Sequence, residues 1–247
     1  MRYSSSLAAL IALAAGIVAP LQAVQAEEIT LAAGAGFRRP IAEVAAAFEK
    51  AQGHKVAQIY GHMGQVIAQA RDSGKVSVVC GDRSVLDTAK GVNFTTFAKL
   101  GPGKLVIAYR KGLTLTKPED ITQADVKRIG IPDQTNAIYG KAGRQFLERA
   151  HLAAQIDLKL LAVATVPQVT SYVGSGEVDA GFVNATDAIG AAGNIGGFIE
   201  VDQKFYDPVD VSCAAVSSSA AGSAAVGGFL KFLETPEARA ILTRYGL

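Results

Sequence analysis

Few side chains in this sequence are equipped for chemistry. The imidazoles are His54, His62 and His151, and none stands in a nucleophile motif. Neither an HExxH nor a CxxC spacing occurs, so a standard zinc site has no support. Ser171, Ser175 and Ser217 to Ser219 sit in no GxSxG elbow, which leaves an acyl-transfer nucleophile without a frame. Glu177 and Asp179 flank a turn that they are placed to cap. A softer set remains. His62, Met63 and Cys80 fall at neighbouring strand ends, with Tyr139 and Asn184 facing them across a gap. Imidazole, thioether and thiol suit a soft metal such as copper. A protonated His62 instead binds an anion directly and makes capture pH-sensitive. Arg38 and Arg39 read as surface charges on a first helical turn. Cys80 and Cys213 either bridge in an oxidising compartment or stay two buried thiols within strands.

The elements that must carry these residues alternate between strand and helix. Ile29 to Ala32 is a short apolar strand, and the small residues Ala33 to Gly36 follow as a turn. Ile41, Val44, Ala45 and Phe48 then recur at helical spacing after Pro40, and Gly53 ends that helix. Lys55 to Tyr60 and Val76 to Cys80 are further strands, with a turn at Gly61 to Gly64 and a helix over Gln65 to Asp72 between them. The order predicts a doubly wound, mostly parallel sheet.

The second half repeats the pattern. Strands are expected at Lys104 to Tyr109, Arg128 to Ile131, Leu158 to Ala164 and Ala180 to Val183, with helices over Tyr139 to Ala150 and Val166 to Val173. Val209 to Val216 reads as a strand returning to the first half. Gly222 to Tyr245 reads as two helices broken at Thr235-Pro236. Ligands of open α/β sheets sit beyond strand carboxyl ends, where helices begin. Helix starts carry unpaired amides and partial positive charge, so several facing one another form an anion receptor without any lysine.

The N-terminus places the chain. Arg2, the apolar run Leu7 to Val18 and the small-residue end at Ala26 describe a cleaved export signal over 1–26. The apolar run is shorter than the ~20 residues a spanning helix needs. A periplasmic location is therefore expected. Apolar residues make up 49% and charged residues 19% of the 247-residue chain, enough to bury a core. A formal charge of +2 gives no basic field for nucleic acid.

Several stretches then resemble the periplasmic molybdate-binding proteins. Ile29-Thr30-Leu31-Ala32-Ala33-Gly34-Ala35-Gly36-Phe37 is similar to their opening strand and turn, and Tyr60-Gly61-His62-Met63-Gly64 to their second turn. Val79-Cys80-Gly81-Asp82 and Ala137-Ile138-Tyr139-Gly140-Lys141-Ala142 look like a strand end and a helix start of that family. Thr165-Val166-Pro167-Gln168-Val169, the block Tyr172 to Val183 and the ending Phe229 to Gly246 complete the likeness. The resemblance implies an α/β, two-lobed binding protein of type II, each lobe a doubly wound, mostly parallel sheet flanked by helices. The first lobe would comprise 27–104 with 206–247 and the second 105–205, with the ligand in the cleft between. It implies a monomeric component of an ABC-type importer, without a cofactor, that passes a molybdate- or tungstate-like oxyanion to a membrane permease.

Carried over by position, the family's two ligand serines fall on Gly36 and Met63, with Phe37, His62 and Gly64 in the same turns. Its second-lobe amides fall on Tyr139 or Gly140 and on Val166, and its ligand tyrosine on Asn184. Glycine and methionine bring no hydroxyl. His62, Asn184 or Tyr139 would have to replace the lost donors. The alternatives are the same fold with a soft metal or another small anion as its guest, or a binding module feeding a sensor. An enzyme lacks a motif, and a transcription regulator would need a DNA-binding helix pair where the export signal stands.

Overall fold

The computed structural model describes residues 26–217 and 223–247. The export signal read over 1–26 lies outside them but for Ala26, as do Ser218 and Ser219. No helix among the described residues is long and apolar enough to cross a membrane.

Two five-stranded sheets form the molecule. The first holds β1 (Glu28–Gly34), β2 (Lys55–Gly61), β3 (Val76–Asp82), β4 (Phe94–Gly103) and β10 (Val209–Val216), in the order β2-β1-β3-β10-β4. The second holds β5 (Leu105–Tyr109), β6 (Ile129–Pro132), β7 (Leu160–Val163), β8 (Ala180–Asn184) and β9 (Gly197–Glu200), ordered β7-β6-β8-β5-β9. In each sheet one strand, β10 or β5, runs against its neighbours, and the others share a direction. These are the two mostly parallel, doubly wound sheets of a two-lobed fold.

Sequence explains the layers. Every residue of β3 is buried, as a central strand covered by helices on both faces requires. Helix α1 (Arg38–Gln52) buries Ile41, Val44, Ala45 and Phe48, an i, i+3, i+4, i+7 stripe. Gly53 stops it at φ 74°, a left-handed conformation that glycine adopts without a Cβ clash. Helix α2 (Met63–Asp72) starts two residues earlier than the sequence suggests, because His62 caps it. A short helix α3 (Arg83–Asp87) follows β3. The second sheet carries α4 (Ile138–Arg149), α5 (Ala153–Ile156), α6 (Val166–Ser175) and α7 (Ala185–Gly190). The C-terminal pair α8 (Ala224–Phe232) and α9 (Pro236–Arg244) covers the first sheet, with Thr235 capping α9 just ahead of Pro236.

The chain passes from β4 to β5 through Lys104 and returns to β10 after β9. The Tyr206 hydroxyl accepts the Leu105 amide at 3.0 Å and so ties the two crossings together. Beside them the Asp82 carboxylate accepts the Asp210 amide at 3.1 Å.

Cys80 and Cys213 form a disulfide. They are direct partners in the β3–β10 register, and both are fully buried. The bridge settles the choice that spacing left open. It also takes Cys80 out of the soft-donor set, because a bridged sulfur is not a thiolate donor, and leaves His62 and Met63 as its members.

Candidate ligand cleft

Four chain junctions converge on one small cavity. Gly34, Ala35, Gly36 and Phe37 approach from the end of β1, and Gly61, His62 and Met63 from the end of β2. Across the gap stand Ala137, Ile138 and Tyr139 at the start of α4, with Thr165 and Val166 at the start of α6. The space left for the centre of a water-sized guest is ≈ 20 Å³, about one such guest.

Backbone amides at these helix starts, with the side chains of His62 and Thr165, give the cavity its polarity. The first amides of a helix have no intrahelical acceptor and bear partial positive charge. Ala137 and Thr165, which precede α4 and α6, provide no side-chain cap. None of α1, α2, α4 and α6 has an acidic residue in its first turn. A carboxylate there would occupy the amides and repel an anion. Among the described residues, no lysine, arginine, aspartate or glutamate lines the cavity. The arrangement can therefore hold an anion or another strong acceptor by hydrogen bonding.

His62 is held by a reciprocal cap. Its Nδ1 accepts the Gln65 amide at 3.3 Å, and the Gln65 Oε1 accepts the His62 amide at 3.3 Å. With Nδ1 accepting, the ring's donor edge is Nε2, on its far side. Thr165 is the residue that sequence reasoning passed over as a donor. Its hydroxyl makes no capping bond although the residue occupies the cap position. The signal was present: a threonine two residues ahead of a proline marks a helix start.

The other expected residues divide. Gly36, Phe37, His62, Met63, Tyr139 and Val166 line the cavity, and Gly64, Gly140 and Asn184 do not. Met63 is 3% exposed and folds its thioether over Gly81, where a Cβ would lie 2.6 Å from the sulfur. It packs beneath the site. Gly64 faces Asn136 of the opposite lobe. Gly140 presses on the chain just past β6, where a Cβ would come within 2.1 Å of the Asp133 carbonyl oxygen.

Tyr139 meets Phe37 edge to face across the cleft, with ring centroids 6.1 Å apart. Its hydroxyl is buried without a partner among the described residues and sits against Gly103 of the crossing. Burial, with Tyr206 and Asp82 nearby, holds that phenol well above its ordinary pKa. Tyr139 thus offers the cavity its ring and backbone.

Asn184, at the end of β8, is fully buried. Its Nδ2 donates to the Gly36 carbonyl at 2.9 Å, and its Oδ1 has no partner among the described residues. A Cβ on Gly36 would lie 2.6 Å from that oxygen. Only glycine at position 36 lets Asn184 come so near.

Arg39 is not a free surface charge. Its Nε lies 3.4 Å from Asp187 Oδ1 on α7. Burial pushes the Asp187 carboxyl up, with the Thr170 hydroxyl and Arg39 pulling it partly back. This carboxyl therefore costs stability as pH rises from its unfolded value toward its folded one. Asp179, read as a turn cap, instead accepts the amides of Lys127 and Arg128 and pairs with Arg110 at 2.8 Å.

Comparison with known proteins follows the same lines. Residues 29–247 match the family described as bacterial extracellular solute-binding protein. The molybdate-binding protein ModA of Rhodobacter capsulatus is 26% identical over 241 residues, covering 96% of this chain and 93% of its own. ModA of Azotobacter vinelandii is 27% identical over 246 residues, covering 96% and 95%. The solved periplasmic molybdate-binding protein of Azotobacter vinelandii shares the fold at a TM-score of 0.77. Its identity is 24%, over 88% of this chain and 97% of that one.

Proposed function

This chain belongs to the bacterial extracellular solute-binding proteins, which bind and are not enzymes, and from that premise we propose that it captures a small oxyanion of the molybdate and tungstate kind. It delivers this guest, as a periplasmic monomer, to the permease of an ABC importer. One observation carries the reading: helix starts without acidic residues converge on a cavity that holds no charged side chain. Such a site neutralises an anion with oriented amides instead of a counter-ion. The names of the relatives support the choice of oxyanion.

In this reading residues 27–104 with 206–247 move as one lobe and 105–205 as the other, hinged where the two crossings run side by side. First-turn amides near Phe37, Met63, Tyr139 and Val166 form the cradle. The hydroxyl of Thr165 and the Nε2–H of His62 supply the side-chain donors that Gly36 and Met63 lack.

Thermal unfolding of the mature protein against molybdate, tungstate, sulfate, phosphate, copper and nickel salts tests the proposal. An anion at 100 times its dissociation constant should add about 2.7 kcal/mol of stability. Stabilisation by the metal salts alone would sink it. Thr165→Val should weaken molybdate binding by about tenfold or more in calorimetry, the usual worth of a hydrogen bond to a charged guest. The melting point without anion should stay unchanged, since that hydroxyl makes no capping bond.

A further inference from the structure

We infer that the lobes carry a latch of their own, Asn184 on Gly36 and Arg39 on Asp187, which favours the closed cleft whether or not a guest is bound. Both contacts join elements of different sheets. Asn184 ends β8 and bonds the Gly36 carbonyl, which follows β1. Arg39 lies on α1 and Asp187 on α7. Gly36 lines the cavity but Arg39, Asn184 and Asp187 do not, so none of the three side chains that make these bonds depends on contact with a guest.

The receiving side is already shaped. Asp187 is 3% exposed, and its second oxygen accepts the Thr170 hydroxyl at 2.5 Å within the same lobe. That bond aims the free oxygen outward at α1. Gly190, one turn further along α7, leaves a notch for the Arg39 stem, where a Cβ would lie 2.1 Å from the arginine Cδ. Opening the cleft would break the Asn184 bond and draw the guanidinium away from the carboxylate.

The latch goes beyond the proposed ligand and depends on the two-lobed fold alone. Its consequence is quantitative. Apparent affinity scales with the closed fraction, so a protein already biased to closure binds more tightly with unchanged guest contacts. Loss of one latch contact should lower the closed-to-open ratio by about tenfold, the range of a modest coupling.

Small-angle scattering of the mature protein with no anion added provides the test. Arg39→Gln and Asn184→Ala should each expand the molecule, and the double variant should expand it further. Arg39 is 43% exposed in its side chain, so its replacement leaves the core intact. Gly190→Ala, which fills the notch but keeps every charge, provides a second route to the same opening. A double variant and a Gly190→Ala protein that both scatter like the wild type would overturn the latch. Because no guest is present, failure of molybdate to bind would leave this measurement unaffected.

Discussion

Replacing Cys80 and Cys213 together by alanine should cost about 5 kcal/mol of folding stability, from the loop-entropy relation for a closed loop of this length. The bridge spans 133 residues of sequence, and that loop contains the whole second sheet. Cutting it releases the unfolded chain from a long closure and leaves the folded sheet to hold β3 and β10 by backbone bonds. Guanidinium unfolding should show the loss, with a melting point lower by about 10–20 °C for a chain of this size. Affinity for the proposed oxyanion should hardly change, because neither cysteine lines the cavity. A loss below about 1 kcal/mol would mean that the unfolded chain keeps these strands together without the bond.

The second large effect concerns Gly36 and Asn184. Family resemblance alone suggests that Gly36→Ser would restore a lost hydroxyl donor and tighten binding. The structure predicts the opposite. A Cβ at 36 falls 2.6 Å from Asn184 Oδ1, and Asn184 is fully buried with its Nδ2 tied to the Gly36 carbonyl. Overpacking of this kind costs about 1–3 kcal/mol. Gly36→Ser should therefore weaken binding of the proposed oxyanion by about 30-fold, as the clash props the lobes apart. Gly36→Ser with Asn184→Ala removes the obstacle and should bind more tightly than Gly36→Ser alone. Titration calorimetry on the two proteins decides the matter. A serine variant that equals the wild type would show that positions 36 and 184 are uncoupled.

This coupling marks the limit of what sequence could show. The departures at Gly36 and Asn184 were both visible along the chain, but their contact joins residues 148 apart. The Arg39–Asp187 pair has the same separation, so Arg39 alone resembled any surface charge. Regular elements were easier. The run Val209 to Val216 matches β10 in full, and Gly53 stops α1 as expected. Strand β4 escaped notice because Thr95, Thr96 and Lys99 face solvent and Pro102 interrupts the run. Its place at the edge of the sheet is what permits that proline. The short helix α7 spans only Ala185–Gly190, too little to establish a period. Cys80 and Cys213 stayed ambiguous because their proximity depends on the β3–β10 register.

That register also governs the order of assembly. Strand β4 borders only β10 in its sheet, so residues 94–103 cannot find their hydrogen-bonding neighbour until 209–216 have been synthesised. The second sheet is built wholly from residues 105–200 and can close on itself while the first still waits. The half of the protein that begins the chain is thus the last to be finished.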